Sequence, residues 1–174
     1  AKEDELLERI RNEGVNSPAD VFVTVDVSRL AYADEMGIFA PVSATQLGAV
    51  AAKAAIADAG IDPATLDEAI FGCVLPAGLG QAPGRQAALG AGVALGVPAT
   101  TVNKMCGSGM KAVMLGADQI RAGSADVVLA GGLESMTNAP YLMLKARAGY
   151  RMGTAEIYDH MFYDGLTSPW DGKA

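Results

Sequence analysis

The chain has 174 residues, of which 51% are hydrophobic and 19% charged, and its formal net charge is −7. That length suits one compact domain, or one and a half, and the apolar fraction excludes intrinsic disorder. The acidic balance excludes the basic footprint of a nucleic-acid binder, and no apolar run reaches the ~18 residues that a membrane span needs.

The charge is uneven: residues 1–43 hold nine acids and four bases, residues 44–174 eleven and nine. With 32 Ala and 21 Gly, helices and strands can pack closely and a ligand can approach the backbone. Cys73 and Cys106 form neither a CxxC pair nor a disulfide framework, so a reducing, cytoplasmic compartment is expected. The opening AKEDELLERI is charged from its second residue, unlike a secretory signal, and with Ala rather than Met first it is expected to be processed or cut.

In chain order, residues 3–13 predict a short amphipathic helix with Leu6, Leu7 and Ile10 on one face, stopped by Gly14. Residues 16–20 are a turn, the β-branched run 21–26 a strand, and 28–36 a second short helix ended by Gly37. From Ser43 the texture changes. Residues 44–60 predict a small-residue helix ending in Gly60, and 62–68 a helical turn with Pro63 at its first position. A buried strand follows over 69–76, a loop over 77–84, and a helix over 85–96 weakened by Gly90 and Gly92. Residues 100–105 predict a strand running into Cys106-Gly107-Ser108-Gly109, and 108–123 a strong helix closed by Gly123. The unbroken apolar run 126–132 suits a strand covered on both faces. Beyond Leu133 the chain is loop-rich, with a helix expected over 155–166. Strands alternating with helices argue an α/β fold with a mostly parallel sheet covered by helices.

The chemistry concentrates at Cys106, placed where a strand ends and a helix begins. A helix start exposes free backbone N–H groups and partial positive charge, and both stabilise a thiolate. The neighbouring glycines clear space for a substrate carbonyl to reach those amides, as an oxyanion hole requires. This suits a nucleophile that takes an acyl group as a thioester. The ordinary alternative is a plain buried cysteine, since free Cys is among the most buried residue types. Cys73, flanked by Phe71 and Val74 in an apolar strand, reads as core. His160, the single histidine, reads as surface or structural.

The string VNKMCGSGMKAV, followed by IRAGSADVVLAGGLESM and later by YRMG and DGL, resembles the active-site segment of the thiolases, the acetyl-CoA acetyltransferase family. Upstream, LPAGLGQAPGRQAAL fits the same pattern, so the resemblance spans residues 43–174. It implies a thiolase-like layered fold with only the first half present. It implies Cys106 as the acyl-accepting nucleophile, with its own amide helping to bind an oxyanion. Leu166 would be an apolar contact to the pantetheine arm of coenzyme A. Residues 131–136 would be the loop supporting the active site, and 141–153 the family's excursion used in homodimer or tetramer association. The family's second half supplies a general-base Cys in a CxGGG segment, a His in a GHP segment and an Asn, and none of these motifs occurs here. The substrates implied are acyl-CoA and acetyl-CoA, in thiolysis or Claisen condensation, with no cofactor beyond the coenzyme A thioester itself. Full turnover by the isolated chain is not expected.

Residues 6–42 depart from the thiolase pattern. LLERI, NSPADVFVTVD and GIFAPV resemble a segment of a periplasmic ferric-iron-binding protein, although Tyr32 matches none of that family's ligating tyrosines and no metal site is expected. A junction is therefore expected near residues 42–44, with 1–42 an atypical N-terminal segment and 43–174 an incomplete thiolase N-terminal domain. VFVTVD nonetheless sits about where a first thiolase strand would and could fill that slot in the sheet. Three functions stay open: a thiolase-type acyltransferase, a ferric-iron solute-binding fragment, and a non-catalytic thiolase-fold fragment.

Overall fold

Three apolar stretches, with a small-residue helix in each of the two gaps between them, make the sheet. The computed structural model describes residues 3–13 and 42–173. Strands β1 (Glu68–Gly72), β2 (Ala99–Val102) and β3 (Val128–Gly132) are all parallel, in the order β2-β1-β3. Phe71 at the centre stands opposite Thr101 on one side and Gly131 on the other. The chain divides into two units, residues 1–41 and 42–174. Of the first unit only helix α1 (Glu3–Glu13) is described, as expected from its pattern, with Ile10 half-buried. The expected turn at 16–20, strand at 21–26 and helix at 28–36 lie outside the described residues, as does Tyr32.

Helix α2 (Ala44–Ala59) begins where the texture changes. The Ser43 hydroxyl accepts from the Gln46 amide while the Gln46 side chain accepts from the Ser43 amide, a reciprocal cap that satisfies two orphan donors. Gly60, at φ 65°, closes it in the left-handed conformation that suits glycine. The expected helical turn after it is a 3₁₀ turn, Pro63–Thr65, capped by Asp62. Helix α3 (Pro83–Gly90) crosses from β1 to β2, and α4 (Ser108–Ala122) from β2 to β3.

Strand alternation sends side chains to opposite faces of the sheet. Ala69, Phe71 and Leu129 join Ala52, Ile56, Ala87 and Ala88 of α2 and α3 in one buried core. On the other face, Gly116 of α4 lies against Val128 and Ala130. The sheet is thus covered by helices on both faces. The outer side of α4 stays exposed at Met110, Val113 and Met114.

Four expected elements differ. The strand expected over 69–76 stops at Gly72, although the Cys73 amide still donates to Val102 O at 3.0 Å. The amides of Val74 and Leu75 then turn away to the Glu134 carboxylate. The helix expected over 85–96 runs over 83–90 instead: Pro83 starts it, and Gly92 at φ 93° ends its turn. The strand expected over 100–105 is Ala99–Val102, because Asn103 caps the next turn by accepting from the Met105 amide at 2.9 Å. The helix expected over 155–166 is confined to its second half and is a π-helical turn. Tyr158–Asp159 (β5) pairs antiparallel with Tyr141–Leu142 (β4), and Met161–Leu166 forms one π-helical turn in which the Thr167 amide reaches Phe162 O at 2.7 Å. Among the described residues no helix is long and apolar enough to cross a membrane.

Candidate active site

Cys106 sits in the tight connection between β2 and α4, at the C-terminal end of the parallel strands, where open α/β sheets place their ligands. The turn is over-determined. Met105 has φ 47°, a left-handed conformation uncommon for a long side chain and of order 1–3 kcal/mol costly. The Ser108 side chain holds it. Its hydroxyl donates to Met105 O at 2.6 Å and accepts from the Lys104 amide at 2.8 Å, and Ser108 is buried. The Ser108 amide also donates to Met105 O, and the Gly107 amide to Lys104 O. These two amides are therefore spent on the turn. The Cys106 amide makes no hydrogen bond to another described residue.

Close approach of α4 to the strand ends depends on missing side chains. A Cβ on Gly72 would lie 2.3 Å from the Ser108 carbonyl carbon and 2.4 Å from the Gly109 nitrogen. A Cβ on Gly132 would lie 3.1 Å from the Gly109 Cα. Gly72, Gly109 and Gly132 thus form a cradle that seats the first turn of α4 on β1 and β3, and so brings Cys106 to the sheet edge.

Cys106 is exposed and opens on two adjoining clefts. One, about 280 Å³, runs over the glycine cradle between Met105, Ser108 and Leu133. The other, about 160 Å³, is lined by Val74 and Leu75 from the loop after β1, by Met161, Gly165 and Leu166 from the π-helical turn, and by Glu134 and Met136 from the loop after β3. Its lining is almost wholly apolar apart from Glu134, and that carboxylate is committed. Its two oxygens accept from the Val74 and Leu75 amides, both at 2.8 Å, and the Cys73 thiol approaches at 3.6 Å. Glu134 thereby pins the end of β1 to the loop after β3.

The structure brings Cys106 and Leu166 onto one cavity; Leu166 is exposed on its wall. Cys73 is buried in the core beneath it. Burial, with the Glu134 carboxylate beside it, pushes that thiol up from 9.0 to about 11, which leaves it un-ionised and inert at neutral pH. His160 is buried, not at the surface: its Nε2 faces the Ala77 amide at 3.3 Å and its Nδ1 lies 2.6 Å from Asp164 Oδ2. Of residues 131–136, Gly131 and Gly132 end β3 and residues 133–136 form the loop that carries Glu134. The holding role of Ser108 and the double acceptance by Glu134 are not evident from the sequence pattern. The signals were present as a Ser just inside a helix start and an acid two residues after a Gly-Gly strand end.

Comparison with known proteins places this geometry in a family. The model of the thiolase N-terminal domain matches residues 22–174. Acetyl-CoA acetyltransferase 2 of Arabidopsis thaliana is 50% identical over 160 residues, covering 92% of this chain and 38% of the relative. The acetyl-CoA acetyltransferase of Cupriavidus necator is 50% identical over 149 residues, 86% of this chain and 37% of its own. That of Saccharomyces cerevisiae is 50% identical over 155 residues, with 86% and 38% covered. The chain spans a little over a third of the length of these relatives. The family match takes in residues 22–42, which the sequence pattern alone set apart, and these comparisons bring no support for a ferric-iron-binding function.

Proposed function

The chain belongs to the thiolase family, and from that premise we propose that Cys106 is the nucleophile of an acyl-CoA:acetyl-CoA acyltransferase, with Leu166 contacting the pantetheine arm. The observation that carries this reading is the joint placement of an exposed thiol, an uncommitted amide and an apolar cleft at the start of α4. The Cys106 sulfur attacks the thioester carbonyl carbon. The carbonyl oxygen gathers negative charge opposite the Cys106 amide, in the manner of an oxyanion hole. The bond from carbon to coenzyme A sulfur then breaks, coenzyme A leaves as a thiolate, and the acyl group remains on Cys106. In condensation this acyl-enzyme is attacked by the carbanion of a second acetyl-CoA, and the Cys106 thiolate leaves as the new carbon–carbon bond forms. In thiolysis the sulfur instead attacks the C3 keto carbon of a 3-ketoacyl-CoA, and the C2–C3 bond breaks with acetyl-CoA leaving as a carbanion that takes up a proton. Coenzyme A then removes the acyl group from Cys106.

Two further parts of the reading follow the family. Residues 141–153 present Tyr141, Met143, Leu144, Tyr150 and Met152 to solvent, an apolar set suited to association with a second copy into a dimer or tetramer. A cytoplasmic, reducing setting suits two unpaired thiols, one of them the nucleophile.

The test is intact-mass measurement after incubation with acetyl-CoA. One acetyl group, a gain of about 42 Da, should appear on the Cys106 peptide and be absent in Cys106→Ser, as expected for a covalent acyl-enzyme. Alkylatable Cys106 that takes no acetyl group would leave the chain a non-catalytic thiolase-fold fragment.

A further inference from the structure

His160 is buried, 3% exposed, and both ring nitrogens are engaged. A backbone amide only donates, so the Nε2 facing the Ala77 N–H acts as acceptor. The ring proton then sits on Nδ1 and is donated to Asp164 Oδ2 at 2.6 Å. The His160 amide donates to Pro140 O at 3.1 Å. One residue therefore ties together the loop after β1, the approach to β4 and the π-helical turn.

Those ties join two of the segments that line the cleft in front of Cys106. Ala77 follows Val74 and Leu75; Asp164 belongs to the turn that supplies Met161, Gly165 and Leu166. The same two segments meet again at Gly165, where a Cβ would lie 3.0 Å from Leu75 Cδ2. His160 does not line the cleft, yet it and Gly165 both lie where the segments that line it come together. A buried polar ring is costly to leave unpaired, so that junction is held rather than loosely filled.

We propose that His160 is a positioning residue that sets the width of the apolar cleft before Cys106, and so decides how well an extended thioester arm is held, without altering the thiol itself. The inference rests on the acyl-transfer reading for its biological meaning, while the cleft geometry can be probed independently of it. Imidazole Nε2 is the atom that bonds to the loop after β1, through the Ala77 amide. A Gln side chain can place a carbonyl oxygen near that position. An Asn side chain reaches only as far as Nδ1, keeping the Asp164 contact and losing Ala77.

The experiment uses the full chain as wild type, His160→Ala, His160→Asn, His160→Gln and Gly165→Ala, with labelling mapped to Cys106 by peptide mass. Iodoacetamide reads the bare thiol, hexyl methanethiosulfonate reads an apolar arm in the cleft, and acetyl-CoA reads acyl transfer. Expected is a drop of about five- to tenfold in the hexyl-to-iodoacetamide rate ratio for His160→Ala and His160→Asn, the scale of one lost buried hydrogen bond. Gln should recover most of the ratio. The half-saturating acetyl-CoA concentration should rise in parallel, with the maximal rate little changed. Gly165→Ala, which wedges the same two segments at Leu75, should move the ratio in the same direction and covers the case in which a His160 variant does not fold. Equal loss with both alkylating reagents, or no change in the ratio in any folded variant, overturns the proposal. Wild type that is never acetylated but shows the hexyl preference and its loss would overturn the acyl-transfer reading alone.

Discussion

The sheet with its covering helices and the region after β3 are held by different means. In the first, backbone ladders and small apolar contacts dominate: Ala69, Ala87, Ala88 and Ala112 are almost wholly buried, and glycines let helix α4 lie directly on β1 and β3. In the second, regular structure is sparse, and single polar side chains tie distant segments together: Glu134 to residues 74–75, Asn138 to Val42 O at 2.9 Å, His160 to Ala77. The contrast teaches where each region is vulnerable. A sheet position fails when an atom is added, and a position beyond β3 fails when a backbone angle or a polar partner is lost.

The largest effect expected from this contrast is at Gly72. An added methyl would meet Ser108 and Gly109 backbone at 2.3–2.4 Å, and backbone cannot swing aside. Gly72→Ala should cost roughly 3 kcal/mol or more, at the upper end of overpacking effects, and should displace Cys106. Gly149, at φ 81° with open space where its Cβ would be, is the counterpart beyond β3. Gly149→Ala pays only for the backbone conformation, about 1–3 kcal/mol. Urea midpoints of the two variants decide the matter, and a larger shift for Gly149→Ala would reverse the contrast.

A smaller effect separates the two cysteines by pH. In the unfolded chain the Cys73 thiol ionises at its ordinary 9.0, and in the folded chain at about 11. Between those values unfolding releases a proton, so the stability contributed by the neutral buried thiol is whole below pH 9 and is lost as pH rises toward 11. Urea midpoints of wild type should fall through that window more steeply than those of Cys73→Ala. Iodoacetamide should modify Cys106 and spare Cys73 at neutral pH; faster modification of Cys73 would contradict its placement.

The smallest effect is at Asp67, an exposed carboxylate that accepts from the amides of Asp126 and Val127 at 2.7 and 2.9 Å and so ties the start of β1 to the approach to β3. Those amides, Val127 first, hold it below the usual carboxylate range. Its contribution is present at neutral pH and lost as pH falls through the lowered value. Asp67→Asn should therefore lower stability slightly at neutral pH, and the two profiles should converge as pH falls through the lowered value. Profiles that coincide at neutral pH as well would show that the two amides contribute nothing.

Where local chemistry decides the structure, the sequence was readable. Gly60 and Gly123 end α2 and α4 as expected, and the run 126–132 contains β3. Cys106 stands out at its strand–helix join for the same reason. Where distant partners decide, it was not. The apolar run 69–76 continues past Gly72 with no local sign that Glu134, about 60 residues on, captures its amides. Residues 155–166 have apolar spacing that suits a helix, yet Tyr158–Asp159 pairs with β4 and His160 anchors the turn that follows. Gly165, within the π-helical turn, also marks a close approach to Leu75.

The Glu134 clamp also bears on the order in which the molecule assembles. Hydrogen bonds that join residues 59 and 60 positions apart cannot form until β3 has docked beside β1, because closing so long a loop is slow compared with forming a helix. The cleft wall at Val74 and Leu75 is therefore among the last parts to set. A nascent chain can form α2 and α4 early while Cys106 still lacks its pocket. Cys106 gains the Val74 and Leu75 side of its cleft only once those long-range bonds have closed.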